Sequence, residues 1–237
     1  MRSTCFEVCV STLTDVALAL EAGADRVELC AAWSMGGLTP SVVAVQSAVA
    51  MGMPTRALIR PREGHFVHAP SERIWSVEEA KLMLDCGADR VVVGGLNEEG
   101  SLDEAYLEAM CEGVGSESLV WHRAIDVSAT PDADLELLLR AGVTSVLTSG
   151  GAARATEGID QIARWVNHGM DVVAGGGVRL EDVQALQEPV QSTSSGHEPS
   201  PGSQTTSSST VQSFWFAHSM SLQAAPAPAN APTARVN

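Results

Sequence analysis

A short unit recurs along this chain: the close of a helical stretch, a glycine, a turn, and a short buried strand. It occurs at Gly23-Ala24-Asp25-Arg26-Val27-Glu28-Leu29-Cys30 and again at Gly87-Ala88-Asp89-Arg90-Val91-Val92-Val93-Gly94-Gly95. A looser copy runs from Gly142 through Ser145-Val146-Leu147-Thr148 to Ser149-Gly150. A helix that stops on glycine and feeds a buried strand is half of a βα module. Its repetition points to parallel strands separated by helices.

Extending that pattern along the chain predicts strands near 6–10, 26–30, 56–60, 90–94, 118–122, 145–149 and 170–174. Helical stretches fall between them, at 15–22, at the segment opened by Thr39-Pro40, and at 76–85, 102–111, 132–140, 158–167 and 180–186. A length of 237 residues fits one (β/α)8 TIM barrel. The eighth strand is assigned to 190–195, a divergent stretch of mediocre strand propensity, and no closing helix is recognisable after it. Residues 1–196 therefore read as the barrel domain. From 197 to 237 the composition turns to Ser, Thr, Pro, Ala and Gln, which is too poor in apolar surface to offset ordering entropy, so a structureless tail is expected. Phe214-Trp215-Phe216 is its one apolar island, either docked on the barrel or incidental.

The formal charge is −15 with only 14 Lys and Arg, which argues against a nucleic-acid or anionic-membrane partner. No apolar run reaches spanning length, and a strand predicted to begin beside Met1 leaves no room for a leader. The five cysteines (Cys5, Cys9, Cys30, Cys86 and Cys111) form no CxxC pair, as expected of free thiols in a reducing, cytoplasmic setting.

In a parallel barrel, ligands gather at the carboxyl ends of the strands. Glu7 and Cys9 alternate with Phe6, Val8 and Val10, so they share a face, as do Glu28 and Cys30 on the next strand. Arg60, Arg62, His122, Arg123 and Asp126 follow later strands. Two readings stay open. In one, Glu7 and Glu28 pair with Arg60 and Arg62 in a structural salt-bridge layer; in the other, the set holds an anion or a metal. Cys9 and Cys30, on strands about 4.8 Å apart, would either bind a soft ion such as Cu(I) or serve as small buried hydrophobes. His65 and His68 with Glu63 form a metal set on paper, but a solvated loop is the better explanation of them. His122, beside Arg123 and Asp126, is either placed for proton transfer or simply hydrogen-bonded in the mouth. Gly175-Gly176-Gly177 and Ser194-Ser195-Gly196 occupy the positions where barrels cradle phosphate on backbone N–H groups.

Together these stretches resemble the CutC copper homeostasis proteins. The resemblance rests on Glu7-Val8-Cys9, Gly23 to Cys30, Gly36-Gly37-Leu38-Thr39-Pro40-Ser41, Ile59-Arg60-Pro61-Arg62, His122-Arg123-Ala124-Ile125-Asp126 and Val146-Leu147-Thr148-Ser149-Gly150, in order from about 5 to about 187. It implies a TIM barrel, a cytoplasmic location, a homo-oligomer and a part in copper handling. Cys9 and Cys30 correspond to the two cysteines proposed to bind copper in the family. The chain departs from the family pattern at Glu63-Gly64-His65-Phe66, where Gly-Gly-Asp-Phe is usual, at Trp121, where Phe is usual, and at the eighth strand, of which only Ser194-Ser195 survives.

Two functions are then expected. One is copper homeostasis with Cu(I) on Cys9 and Cys30. The other is an enzyme for a small anionic or phosphorylated metabolite, with His122, Asp126, Glu7 and Glu28 as the catalytic set. Its anion site would be built from Arg60, Arg62, Arg123, Gly175, Gly176, Gly177, Ser194 and Ser195.

Overall fold

A computed structural model describes residues 5–192 and 211–217. Eight parallel strands close into a barrel in chain order: β1 (Cys5–Val10), β2 (Arg26–Leu29), β3 (Thr55–Leu58), β4 (Arg90–Val93), β5 (Leu119–Trp121), β6 (Ser145–Thr148), β7 (Asp171–Gly175) and β8 (Val211–Ala217). Between them run α1 (Leu13–Glu21), α2 (Val42–Ala50), α3 (Pro70–Asp85), α4 (Glu104–Val114), α5 (Pro131–Arg140), α6 (Ile159–Asn167) and α7 (Val183–Ser192). The first seven strands lie within two residues of their predicted spans.

The recurring glycine is a helix terminator. Gly23, Gly87 and Gly142 all have φ between +77° and +94°, a conformation that costs other residues steric strain. Just past each, an N–H reaches back five residues: Ala24 to the carbonyl of Ala19 at 3.0 Å, Ala88 to Met83 at 3.1 Å, and Val143 to Leu138 at 2.9 Å. This closure satisfies carbonyls left over at the helix end and turns the chain into the next strand. Gly169 repeats it, with φ +95° and a 3.1 Å bond from Met170 to Trp165, so a fourth copy of the unit exists that the sequence pattern does not announce.

The eighth strand is the main correction. Residues 190–192 belong to the last turn of α7, and 193–195 lie outside the described residues. The strand that pairs with both β7 and β1 is Val211–Ala217, in the stretch expected to be structureless. Its Val-Gln-Ser-Phe-Trp-Phe-Ala run carries β-branched and aromatic residues, which suit a strand. The edges of β1 and β7 offer it two ladders of unpaired backbone groups. The rest of 197–237 lies outside the described residues.

Smaller shifts have local causes. The cap of α1 is Thr12 rather than Ser11, its Oγ1 accepting from the Asp15 N–H at 3.1 Å. Helix α3 starts at Pro70, six residues before the predicted start. Proline suits a first helical position, and the Glu72 carboxylate accepts from the Ala69 N–H at 2.8 Å.

Packing follows from strand alternation. Val27, Leu29, Val91, Val93 and Val146 face the helices and join the large outer core with Val16, Val45, Met83, Met110, Leu138 and Trp165. Each such side chain contributes about 1.5–3 kcal/mol by leaving water. The inward residues form layers. Toward the amino ends of the strands stand Glu7, Arg26 and Arg56; Glu7 is in register with Arg26, whereas Arg56 pairs with Glu28, two residues further along β2. An apolar layer of Cys9, Cys30, Leu58, Val92, Val120, Leu147 and Val173 fills the middle. Above it the barrel opens.

Candidate functional site at the barrel mouth

A cavity of about 390 Å³ opens at the carboxyl ends of the strands. Its floor carries Cys9, Glu28, Cys30, Leu58 and Leu147, and its walls include Arg60, Phe66, His122, Arg123 and Asp126. The loop after β2 roofs one side with Trp33, Gly36 and Gly37.

Arg60 shapes that roof. Its Nη1 donates to the carbonyls of Met35 at 3.0 Å and Gly37 at 2.9 Å, and its Nη2 to Gly64 at 3.0 Å. The guanidinium also lies 5.3 Å from the Phe66 ring centroid. None of these partners is a carboxylate, and Nε makes no hydrogen bond among the described residues. Three of five N–H donors are thus committed to carbonyls, and the positive charge stays uncompensated at contact distance. Burial, with the neighbouring Arg62 charge, holds the guanidinium below its ordinary pKa. The loop it grips is strained: Ala32 sits at φ +48°. Gly37, at φ +86°, approaches so closely that a Cβ would lie 2.9 Å from Leu58 Cδ2.

His122 follows β5 and is buried. Its Nδ1 accepts from the Ala124 N–H at 3.1 Å, which places the ring proton on Nε2. Burial first, then the nearby His68, Arg60 and Arg123, push its pKa down to about 3. At neutral pH it is therefore an uncharged N–H donor. With Nδ1 occupied and the imidazolium disfavoured, the ring as placed offers a hydrogen-bond donor at Nε2. The ring fits only because residue 94 is glycine, since a Cβ there would stand 2.3 Å from Nδ1.

Asp126 lines the mouth but is fully engaged. It accepts from Arg123 Nε at 2.7 Å, from Ser149 Oγ at 2.9 Å, from the N–H groups of Ser149 and Gly151, and from Thr148 Oγ1. Its work is to pin the loop after β6 and to orient Arg123, which also donates to Ser149 Oγ at 3.0 Å. Gly176 makes room for that guanidinium, because a Cβ there would lie 3.2 Å from Arg123 Cζ. Gly176 stands against Arg123 and Gly177 against Arg154, and Gly175, Gly176 and Gly177 are not among the described residues that line the cavity. Ser194 and Ser195 lie outside the described residues.

Two expected mouth residues are elsewhere. Glu7 is buried at the amino end, bound to Arg26 and, at 2.9 Å, to Arg56. Strand β3 ends at Leu58, so Arg62 turns outward instead of following Arg60 inward. It meets Glu72 at 2.7 Å and the carbonyls of Glu63, His65 and Val67. The salt-bridge layer expected between Glu7, Glu28, Arg60 and Arg62 is thus replaced by one of Glu7 with Arg26 and Arg56.

The thiols do meet, although not by simple register. Cys9 is opposite Glu28 across the sheet, and Cys30 lies two residues further on; the slant of barrel strands brings both inside. Burial, a hydrogen bond to Cys30 and the Glu28 charge push the Cys9 thiol well up. Its Sγ contacts Glu28 Oε1 at 3.7 Å. The hydrogen bond with Cys9 pulls the Cys30 thiol down against burial, so Cys30 ionises first. Two adjacent soft donors fit a two-coordinate Cu(I). No group of three or more His, Cys, Asp or Glu arranged to hold a metal exists among the described residues. His65 and His68 do not converge: His65 is exposed, while His68 is buried, with Nε2 on the Gly94 carbonyl at 3.1 Å and its ring against Tyr106.

Sequence reasoning missed Phe66, which packs on both Arg60 and His122, and the anchoring of Asp126 by Ser149. The doublet Gly94-Gly95 after β4 was the available sign that bulky rings crowd this corner.

The CutC family pattern matches residues 4–196. This chain belongs to the CutC family. The CutC family protein of Agrobacterium fabrum is 38% identical over 183 residues, 76% of this chain and 73% of that one. That of Treponema denticola is 37% identical over 190 residues, 78% and 77% of the two chains. Among solved structures, a CutC from Streptococcus agalactiae with a provisional copper-homeostasis description superposes with a TM-score of 0.76 at 25% identity, covering 90% of this chain and 98% of that one. A phosphoenolpyruvate phosphomutase from Streptomyces platensis aligns at TM-score 0.61 and 12% identity over 92% of this chain and 77% of its own, a likeness of fold alone. The CutC match ends before β8, so the closing strand lies beyond the stretch matched to the family.

Proposed function

We propose that the mouth is a substrate-type pocket for a small anion, a carboxylate or phosphate of metabolite size. The observation that carries this reading is Arg60, a cation lining the cavity with carbonyl partners and no carboxylate. Buried cations in folded proteins are ordinarily neutralised, and an anionic ligand would do that here. Arg123 adds a second guanidinium on the same cavity. Titration with inorganic phosphate is expected to show saturable binding that Arg60→Ala weakens at least tenfold, about 1.4 kcal/mol. Absence of phosphate and small-carboxylate binding at millimolar concentration overturns the reading.

A role in copper homeostasis, the description carried by the Streptococcus agalactiae relative, is a second reading favoured by the Cys9–Cys30 contact. Cu(I) would be cargo held between the two sulfurs, and the Cys9 proton would leave on binding, so affinity should rise with pH. Anaerobic native mass spectrometry with and without Cu(I) tests it. Changing both cysteines to Ser should abolish one-to-one binding while far-UV circular dichroism is retained, and unchanged binding would refute the site. A cytoplasmic setting belongs to the same proposal, supported by five free thiols. So does a homo-oligomer, for which Ile74, Trp75 and Leu82, exposed on α3, supply apolar surface; the same spectra report it. Among the described residues no helix is long and apolar enough to cross a membrane.

A further inference from the structure

The mouth holds a hydrogen-bond donor with no acceptor. His122 is only 4% exposed, its Nδ1 is occupied by the Ala124 N–H, and its Nε2 has no hydrogen-bond partner among the described residues. A buried N–H left unmatched costs about 1–3 kcal/mol. The ring cannot turn to relieve it without losing the Ala124 bond, and the Gly94 backbone and the Phe66 ring, centroid 5.0 Å away, hem it in. Such a donor is preset for an acceptor brought by a ligand.

The kind of acceptor follows from the surroundings. An uncharged N–H suits a carbonyl oxygen, and it suits the same oxygen better as negative charge gathers on it. The anion anchor is near: Arg60 lies 5.3 Å from the centroid of the same Phe66 ring that His122 packs on. The guanidinium and the neutral donor thus pack on one aromatic ring and line the same cavity. Resting on the anion reading above, we propose that the pocket selects acids with a carbonyl oxygen next to the acid group, the 2-oxo acids. Arg60 receives the carboxylate and His122 Nε2–H the carbonyl oxygen.

Calorimetric titration of the full chain with pyruvate and propionate tests this selection, because the two differ in the carbonyl oxygen. Pyruvate is expected to bind at least tenfold more tightly. His122→Phe should erase the preference, and His122→Gln, which keeps an N–H at a similar reach, should restore part of it. In the unaltered protein with 15N-labelled histidine, pyruvate should move the Nε2–H resonance downfield and propionate should not, a readout independent of how the variants fold. Equal binding of the two acids, or a preference that survives in His122→Phe, overturns the proposal. Equal binding that Arg60→Ala abolishes leaves the anion reading standing alone. Failure of both acids and of phosphate removes the two together.

Discussion

The two ends of the barrel use the same residue types to opposite effect. At the amino end, Glu7 is taken by Arg26 and Arg56, and Asp171 and Arg90 lie close enough to act on the same charges. At the carboxyl end, Arg60 faces carbonyls, His122 keeps an unmatched donor, and the Cys9–Cys30 pair sits beside Glu28. At the amino end the two guanidiniums share a carboxylate, as a structural layer in a low-dielectric interior requires, although Arg56 Nε and Asp171 Oδ1 have no hydrogen-bond partner among the described residues. The mouth is incomplete by itself. Charge and burial alone do not separate a structural cluster from a site; Arg26 and Arg56 meet a carboxylate and Arg60 does not.

Both ends depend on a closed wall. Ending the chain after residue 196 removes β8 and leaves β1 and β7 as open edges. The expected result is loss of a cooperative thermal transition, followed by circular dichroism. An unchanged transition would detach 211–217 from the barrel and weaken any comparison of its ends.

The next effect belongs to the mouth and to acid. The folded pKa of His122, about 3, lies below the ordinary 6.5, so the unfolded chain takes up this proton first. The neutral ring's contribution is complete above about pH 6.5 and is lost as pH falls toward 3, up to about 5 kcal/mol by linkage. Urea midpoints measured between pH 7 and pH 4 should fall more steeply in the unaltered protein than in His122→Phe. Parallel slopes would mean that the ring is not buried as described.

At the amino end, Glu7→Ala should cost about 3–5 kcal/mol, because it leaves the buried Arg56 and Arg26 without their carboxylate. Anion binding at the mouth should persist at temperatures where this variant is folded. If binding disappears in the folded variant, the two ends are not separable. The smallest effect is expected at Arg62. Arg62→Ala removes a half-exposed contact to Glu72, worth at most about 1 kcal/mol, and phosphate affinity should not change. A tenfold loss there would return Arg62 to the mouth.

Strands β2, β4 and β6 were legible because each carries its own punctuation, a left-handed glycine, a turn and an apolar run, all local in sequence, and the other early strands because short apolar runs alternate with helical stretches. The family could be read for a similar reason, since its motifs are contiguous. The site was legible only in part. Arg60, His122, Arg123, Asp126, Glu28, Cys9 and Cys30 do line one cavity, as their strand-end positions suggested. Glu7 and Arg62 do not. Strand alternation tells which face a residue takes, but not how far along the barrel axis it stands or where the strand stops. Arg62 left the set because β3 ends at Leu58, and Glu7 because its layer is complete below the mouth.

The sequence by itself determined the module, its repetition and the residue types offered to the strand ends, since these follow from backbone preference and hydrophobic period over a few neighbouring residues. Tertiary structure alone decided which strand closes the barrel, that the carboxylate of Asp126 is spent on Ser149 and Arg123, and that His122 is a neutral donor. Each of these depends on a partner brought near by barrel closure. Val211–Ala217 needs two open edges from opposite ends of the chain, and the His122 ring needs the space above Gly94, from the preceding strand. Local propensity carries no information about such distant partners.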